Sequence, residues 1–185
     1  MELSPRAARN RGEYKRLSIY TIAASILAAA CIVALIFTVW FTAVIIDDRG
    51  MEPTLERGDA VLCDKLALTF VSPKRGDMLC YRAVYGGGVY MGRVVGLAGE
   101  EVAINGGSVY INGKELEESA YWKYRGEIDL DMGEVVVPEN SAFVVGDNRN
   151  NSKDSRAWGV GAIPYERITG RAHFVIWPLY AARSI

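Results

Sequence analysis

From Leu17 to Ile46, thirty consecutive residues carry no charged or histidine side chain, and nothing else in the chain restricts its fold so strongly. A helix of about 20 apolar residues crosses the hydrocarbon of a bilayer, so this run predicts a membrane span with slack at its ends. A secretory leader has an apolar core of only about 7–15 residues ahead of a small-residue cleavage site. Here the run is longer and closes on the bulky series Val44, Ile45 and Ile46. A core helix of a soluble domain would show one apolar face, whereas this run is uncharged all round. The span is therefore expected to stay attached, with Tyr20 and Trp40 suited to the two interfaces.

Flanking charge sets the expected direction. Arg6, Arg9, Arg11, Lys15 and Arg16 precede the run, and Asp47 and Asp48 follow it. The positive-inside bias then predicts residues 1–16 in the cytoplasm, 17–46 as a single pass through the cell membrane, and 47–185 as an extracytoplasmic domain. Residues 1–17 have a net charge of +3 and the rest of the chain −4, which argues against a nucleic-acid partner.

The outer 139 residues suffice for a core without metals or many disulfides. Short β-rich runs recur between turn signals: Ala60–Leu66, Met78–Val84, Val89–Leu97, Glu101–Ile104, Ser108–Ile111, Glu134–Val137, Ala142–Val145 and Arg171–Trp177. Asn105-Gly106-Gly107 and Asn112-Gly113 make Val102–Leu116 a hairpin with a further tight turn. The domain is thus expected to be mainly β. Residues 114–133, with Glu115, Glu117, Glu118, Tyr121, Trp122 and Tyr124, have the weakest pattern and look like a surface insertion whose aromatics pack.

Cys31 falls inside the apolar run, while Cys63 and Cys80 fall in consecutive strand runs. A disulfide between the latter two is open to a domain in an oxidising compartment, and two buried thiols are the simpler expectation. No Cys/His cluster has metal-ligand spacing, so neither metal nor cofactor is expected.

Three segments carry the chemistry: Gly50-Met51-Glu52-Pro53-Thr54-Leu55 with Gly58-Asp59; Gly92-Arg93-Val94-Val95-Gly96-Leu97-Ala98-Gly99-Glu100; and Gly146-Asp147-Asn148-Arg149-Asn150-Asn151-Ser152-Lys153-Asp154-Ser155-Arg156. In this order, behind an N-terminal anchor, they resemble the type I signal peptidases, the membrane-anchored serine peptidases of family S26 that remove signal peptides from exported proteins. The resemblance implies coiled antiparallel β-sheets forming a peptide groove that faces the membrane, and a Ser/Lys dyad. A serine hydroxyl attacks only once a base takes its proton, and a lysine is that base only where burial leaves it neutral.

By the same resemblance, the serine directly precedes Met51-x-Pro53-Thr54-Leu55 and the lysine directly precedes Arg93-Val94-Val95-Gly96-Leu97. Those positions are Gly50 and Gly92, so no catalytic residue is expected at either. Ser152 matches the serine that orients the lysine ammonium, Asp154 and Arg156 the ion pair that holds the site loop, and Arg93 a structural arginine; with Met51 and Pro53 they form the site frame. Asp48 falls where members carry a hole-forming serine or a glycine, and a carboxylate there opposes a developing oxyanion.

Thr54, Ser152 and Ser155 have no spacing that places a base beside them, and His173 lies in a C-terminal apolar run. A carboxylate pair drawn from Asp48, Asp147 and Asp154 would be a different mechanism. The resemblance therefore implies a signal peptidase homologue that does not cut, binding exported peptides or an active paralogue at the membrane. The competing expectation is an active peptidase with an unrecognised nucleophile.

Overall fold

In the computed structural model the described backbone covers residues 5–67, 71–82, 87–122, 131–157 and 159–185, with side chains from Ser18 onward. The chain divides into two compact units, residues 1–40 and 41–185.

The first unit is one helix, α1 (Pro5–Trp40), whose stretch Ser18–Trp40 is long and apolar enough to cross a membrane, with none of it buried against protein. At 1.5 Å per residue its 23 residues extend about 34 Å, the scale of a hydrocarbon core. The bounds differ from the expected 17–46. The helix runs back through the basic segment to Pro5, and it stops at Trp40 because Phe41–Ile45 form a strand, β1. Thr42, Val44 and Ile45 are β-branched, and β1 meets its backbone needs by pairing with β2 (Ala60–Asp64) from Phe41↔Asp64 to Ile45↔Ala60. The helix takes only part of the apolar run, and the second unit uses the remainder.

Residues 41–185 are mainly β, and all pairings are antiparallel. Besides β1 and β2, the strands are β3 (Met78–Arg82), β4 (Val89–Gly96), β5 (Glu101–Asn105), β6 (Ser108–Ile111), β7 (Lys114–Glu115), β8 (Met132–Val136), β9 (Ser141–Val145), β10 (Ile163–Pro164), β11 (Ile168–Trp177) and β12 (Arg183–Ser184). One sheet runs β1-β2-β11-β3-β4-β9-β10, with β12 paired to β11; a smaller one runs β7-β6-β5-β8. All eight expected strand runs are present, although residues 83 and 84 of one lie outside the described residues. Gly106 and Gly107 join β5 to β6, and Asn112 and Gly113 join β6 to β7, all at positive φ as two-residue hairpin turns require.

Alternation along the central strands divides the core into three clusters. Met78 and Cys80 of β3 face one with Ile46, Met51, Leu55, Val61, Cys63, Ala172 and Val175. Leu79 and Tyr81 face another with Val94, Ala142, Val144 and Ile163. Phe143 and Val145 of β9 face the third, where Val95 meets Val102, Ile104 and Val109 from the small sheet. Strand β9 is buried on both faces, which explains its unbroken run of apolar residues after Ser141.

Candidate active site

The first and third motif segments meet at Gly50. Its carbonyl accepts a hydrogen bond from the Asn148 amide at 3.0 Å and one from the Ser152 hydroxyl at 2.9 Å. Ser152 Oγ also lies 2.6 Å from Asn148 O, so its single proton is shared between two carbonyls. Gly146, at the end of β9, permits this approach. A Cβ there would sit 1.8 Å from Ser152 Oγ and 2.4 Å from Gly50 O, so no larger residue fits.

Gly50 is buried and takes no positive φ; a Cβ on it would lie 3.2 Å from Asp48 Oδ1 and 3.4 Å from Ser152 Oγ. The Asp48 carboxylate accepts the Gly50 amide at 2.8 Å. Gly92 is buried in β4 opposite Leu79, and its Cβ would meet Val144 at 3.1 Å and the Tyr81 ring at 3.4 Å. Tyr81 spans the two places: its ring packs beside Gly92, and its hydroxyl lies 3.5 Å from the Lys153 carbonyl, next to Ser152. Burial, followed by the charges of Asp154 and Asp48, pushes the Tyr81 phenol well above its ordinary pKa. It is a proton holder at neutral pH rather than a base.

Around these positions stands an ionic frame. Arg93 binds Asp147 in a two-pronged pair, Nε to Oδ1 at 2.8 Å and Nη2 to Oδ2 at 2.6 Å, and donates to Gly76 O at 3.0 Å. Arg156 grips Asp154 in the same way at 2.8 and 2.7 Å, while Asp154 Oδ2 also accepts the Gly146 amide at 2.8 Å. Asp154 thereby holds in place the glycine that lets Ser152 approach Gly50.

The frame extends to residues that read as a surface insertion from sequence. Glu118 is fully buried and paired with Arg149; Tyr121 lies 4.3 Å from the Arg93 guanidinium and Trp122 4.6 Å from that of Arg149. Residues 118–122 are a strap across two buried arginines, and their aromatics do pack. Tyr124 lies outside the described residues. Arg149, the partner of Glu118, lies 31 positions away and gave no local signal.

The hydroxyls of Thr54 and Ser155 are already engaged. Thr54 Oγ1 donates to Asp147, whose charge Arg93 neutralises. Ser155 Oγ accepts the Val144 amide in a buried position. Lys153 is exposed, the opposite of the burial that makes a lysine neutral. His173 is half-buried in β11 beside Phe174. Asp48, Asp147 and Asp154 each have a separate partner, so they form no proton-sharing pair.

Asp48, Tyr90 and residues 150–153 line a cleft of about 370 Å³ next to Gly50. Met51 is in the core instead, and exposed Pro53 borders a second hollow with Trp177, Tyr180 and Arg183. Cys63 and Cys80 are free and buried in one cluster. The hydrogen bond that the Cys80 thiol donates to the Cys63 sulfur, reinforced by burial, raises the Cys80 pKa far above the usual thiol range. Among the described residues no group of three His, Cys, Asp or Glu side chains is placed to hold a metal ion.

The family model for signal peptidase, peptidase S26, matches residues 19–177. The chain belongs to that family. It is 34% identical to signal peptidase I S of Bacillus subtilis and 32% identical to signal peptidase I of Bacillus licheniformis, each match covering 92% of this chain and 95% of the relative. A probable signal peptidase I-2 of Synechocystis is 35% identical over 72% of this chain, and the match spans 62% of that relative's length. A crystal structure of signal peptidase I from Enterococcus faecalis is 30% identical, with a TM-score of 0.46 over 54% of this chain and 96% of that one. The chain is thus a homologue of signal peptidase I, with a mainly antiparallel β domain and one N-terminal apolar helix.

Proposed function

We propose that this chain is a catalytically silent signal peptidase homologue that binds exported peptides at the membrane without cutting them. The observation that carries the reading is glycine at both 50 and 92, where the family resemblance puts the nucleophile and its base. In serine proteases, loss of either group lowers turnover by about a million-fold. Of the candidate hydroxyls, Ser152 donates to carbonyls, Ser155 accepts a backbone amide, and Thr54 donates to a carboxylate already neutralised by arginine.

Binding does not need the dyad. Strand β1 ends the large sheet, and residues 89–92 of β4 lie outside its pairing with β9, so both offer backbone to an extended peptide. The apolar helix supports a membrane anchor, and the basic segment before it favours that end in the cytoplasm and residues 41–185 outside. The site frame of Met51, Pro53, Arg93, Ser152, Asp154 and Arg156 serves architecture. An active paralogue is a second partner open to the same surface.

The test is incubation of the full-length, detergent-solubilised protein with a preprotein, in parallel with retention on an immobilised signal peptide. Retention without cleavage is expected. Specific cleavage that disappears on substitution of a named residue would show an active peptidase with an unrecognised nucleophile. Absence of retention would leave a membrane-tethered structural module.

A further inference from the structure

We propose that Asp48 is an internal ligand of the oxyanion hole, a third block on acyl transfer independent of the two glycines. This deepens the silent-homologue reading and rests on it, because the Gly50 amide is the hole only if position 50 is the nucleophile position. An oxyanion hole works through N–H groups left free for the oxygen that becomes negative in the transition state. Here the Gly50 N–H already donates to Asp48 Oδ1 at 2.8 Å, and the Asp48 side chain borders the cleft that a peptide would enter.

The acceptor already in place is a carboxylate. An incoming carbonyl must displace it, and the negative charge that then develops meets a second one. The same Oδ1 lies 3.2 Å from the place of a Cβ on Gly50, so a serine restored there would also crowd this carboxylate. Ser152 closes the other side, with its hydroxyl turned to the Gly50 and Asn148 carbonyls. The arrangement holds itself together: Gly50 gives its amide to Asp48 and its carbonyl to residues 148 and 152.

The consequence is that restoring the dyad does not by itself restore the enzyme. Gly50→Ser with Gly92→Lys should cut a preprotein weakly. Adding Asp48→Ala should raise the rate at least tenfold, towards the hundred-fold or more that one oxyanion donor contributes. Adding Asp48→Asn, which keeps an acceptor oxygen without the charge, should recover less than Asp48→Ala. Equal rates for the doubly restored protein with and without Asp48→Ala would overturn the proposal.

A second measurement decides the matter if neither restored protein cuts. Hydrogen exchange at the Gly50 amide, read by NMR in otherwise unmodified full-length protein, should accelerate at least tenfold in Asp48→Ala and stay protected in Asp48→Asn. Unchanged exchange in Asp48→Ala would overturn the proposal. Cleavage by the unmodified chain would overturn catalytic silence, while the exchange result would still judge Asp48 separately.

Discussion

Gly92 and Arg93 are consecutive residues of β4, and they illustrate two different demands on one strand. The Arg93 guanidinium is held by a buried carboxylate, a carbonyl and a tyrosine face. Gly92 presents only backbone, with Val144 and Tyr81 closed in beside it. The third motif shows the same contrast: Asp154 and Arg156 retain a full ion pair, while Ser152 turns its hydroxyl to the Gly50 carbonyl. The charged residues that fold the site are all engaged, while positions 50 and 92 carry no side chain.

The strongest way to break this contrast is to attack the frame. Arg93→Ala leaves Asp147 buried without its cation, and such losses cost about 3–5 kcal/mol. Thermal or urea unfolding of the full chain should show a loss of that size, and a stability close to the unmodified protein would mean that the frame is not what holds the motifs together. Glu118→Gln keeps the volume and removes the charge facing Arg149, with an expected loss of about 2–3 kcal/mol and a looser strap visible as faster exchange at residues 118–122.

Smaller effects are expected at the bare positions. Gly92→Ala must push Val144 by a few tenths of an ångström, offset by the strand-stiffening that alanine brings, for a net change within about 1 kcal/mol. A loss as large as that of Arg93→Ala would make Gly92 a packing requirement rather than a vacated chemical position. The thiols sharpen the contrast through pH. Because the folded Cys80 pKa is raised, the folded state favours its protonated form; that contribution is complete below the ordinary thiol pKa and fades as pH rises above it. Cys80 should therefore resist alkylation at pH 8 in the folded protein and react on unfolding, as mass spectrometry would read. Smallest of all, removing the surface pair of exposed Arg49 and half-buried Glu52 should shift stability by less than about 0.5 kcal/mol.

Much of the fold was legible because β-branched runs between Asn-Gly and Gly-rich turns have few alternatives; β2, β4, β6 and β9 all lie within a residue or two of their expected bounds. Strand β1 was not legible, since Thr42, Val44 and Ile45 continue an apolar run that suits lipid and sheet equally well. The two-residue strands β7, β10 and β12 are too short to leave a period. At the site, the Asp154–Arg156 pair was readable from the resemblance, because both partners lie in one motif. Asp147 as the partner of Arg93, and Glu118 as that of Arg149, were hidden by separations of 54 and 31 residues. The engagement of the Gly50 amide by Asp48 needed coordinates, because the sequence gives proximity but not the direction of a side chain.

The glycine at 146 has a bearing on how such chains are recognised. With Ser152 Oγ 1.8 Å from where its side chain would begin, it is fixed by geometry whether or not any bond is ever cleaved nearby. A pattern search that scores this stretch is reading scaffolding, so that signature by itself reports a shape and not which side chains stand at 50 and 92.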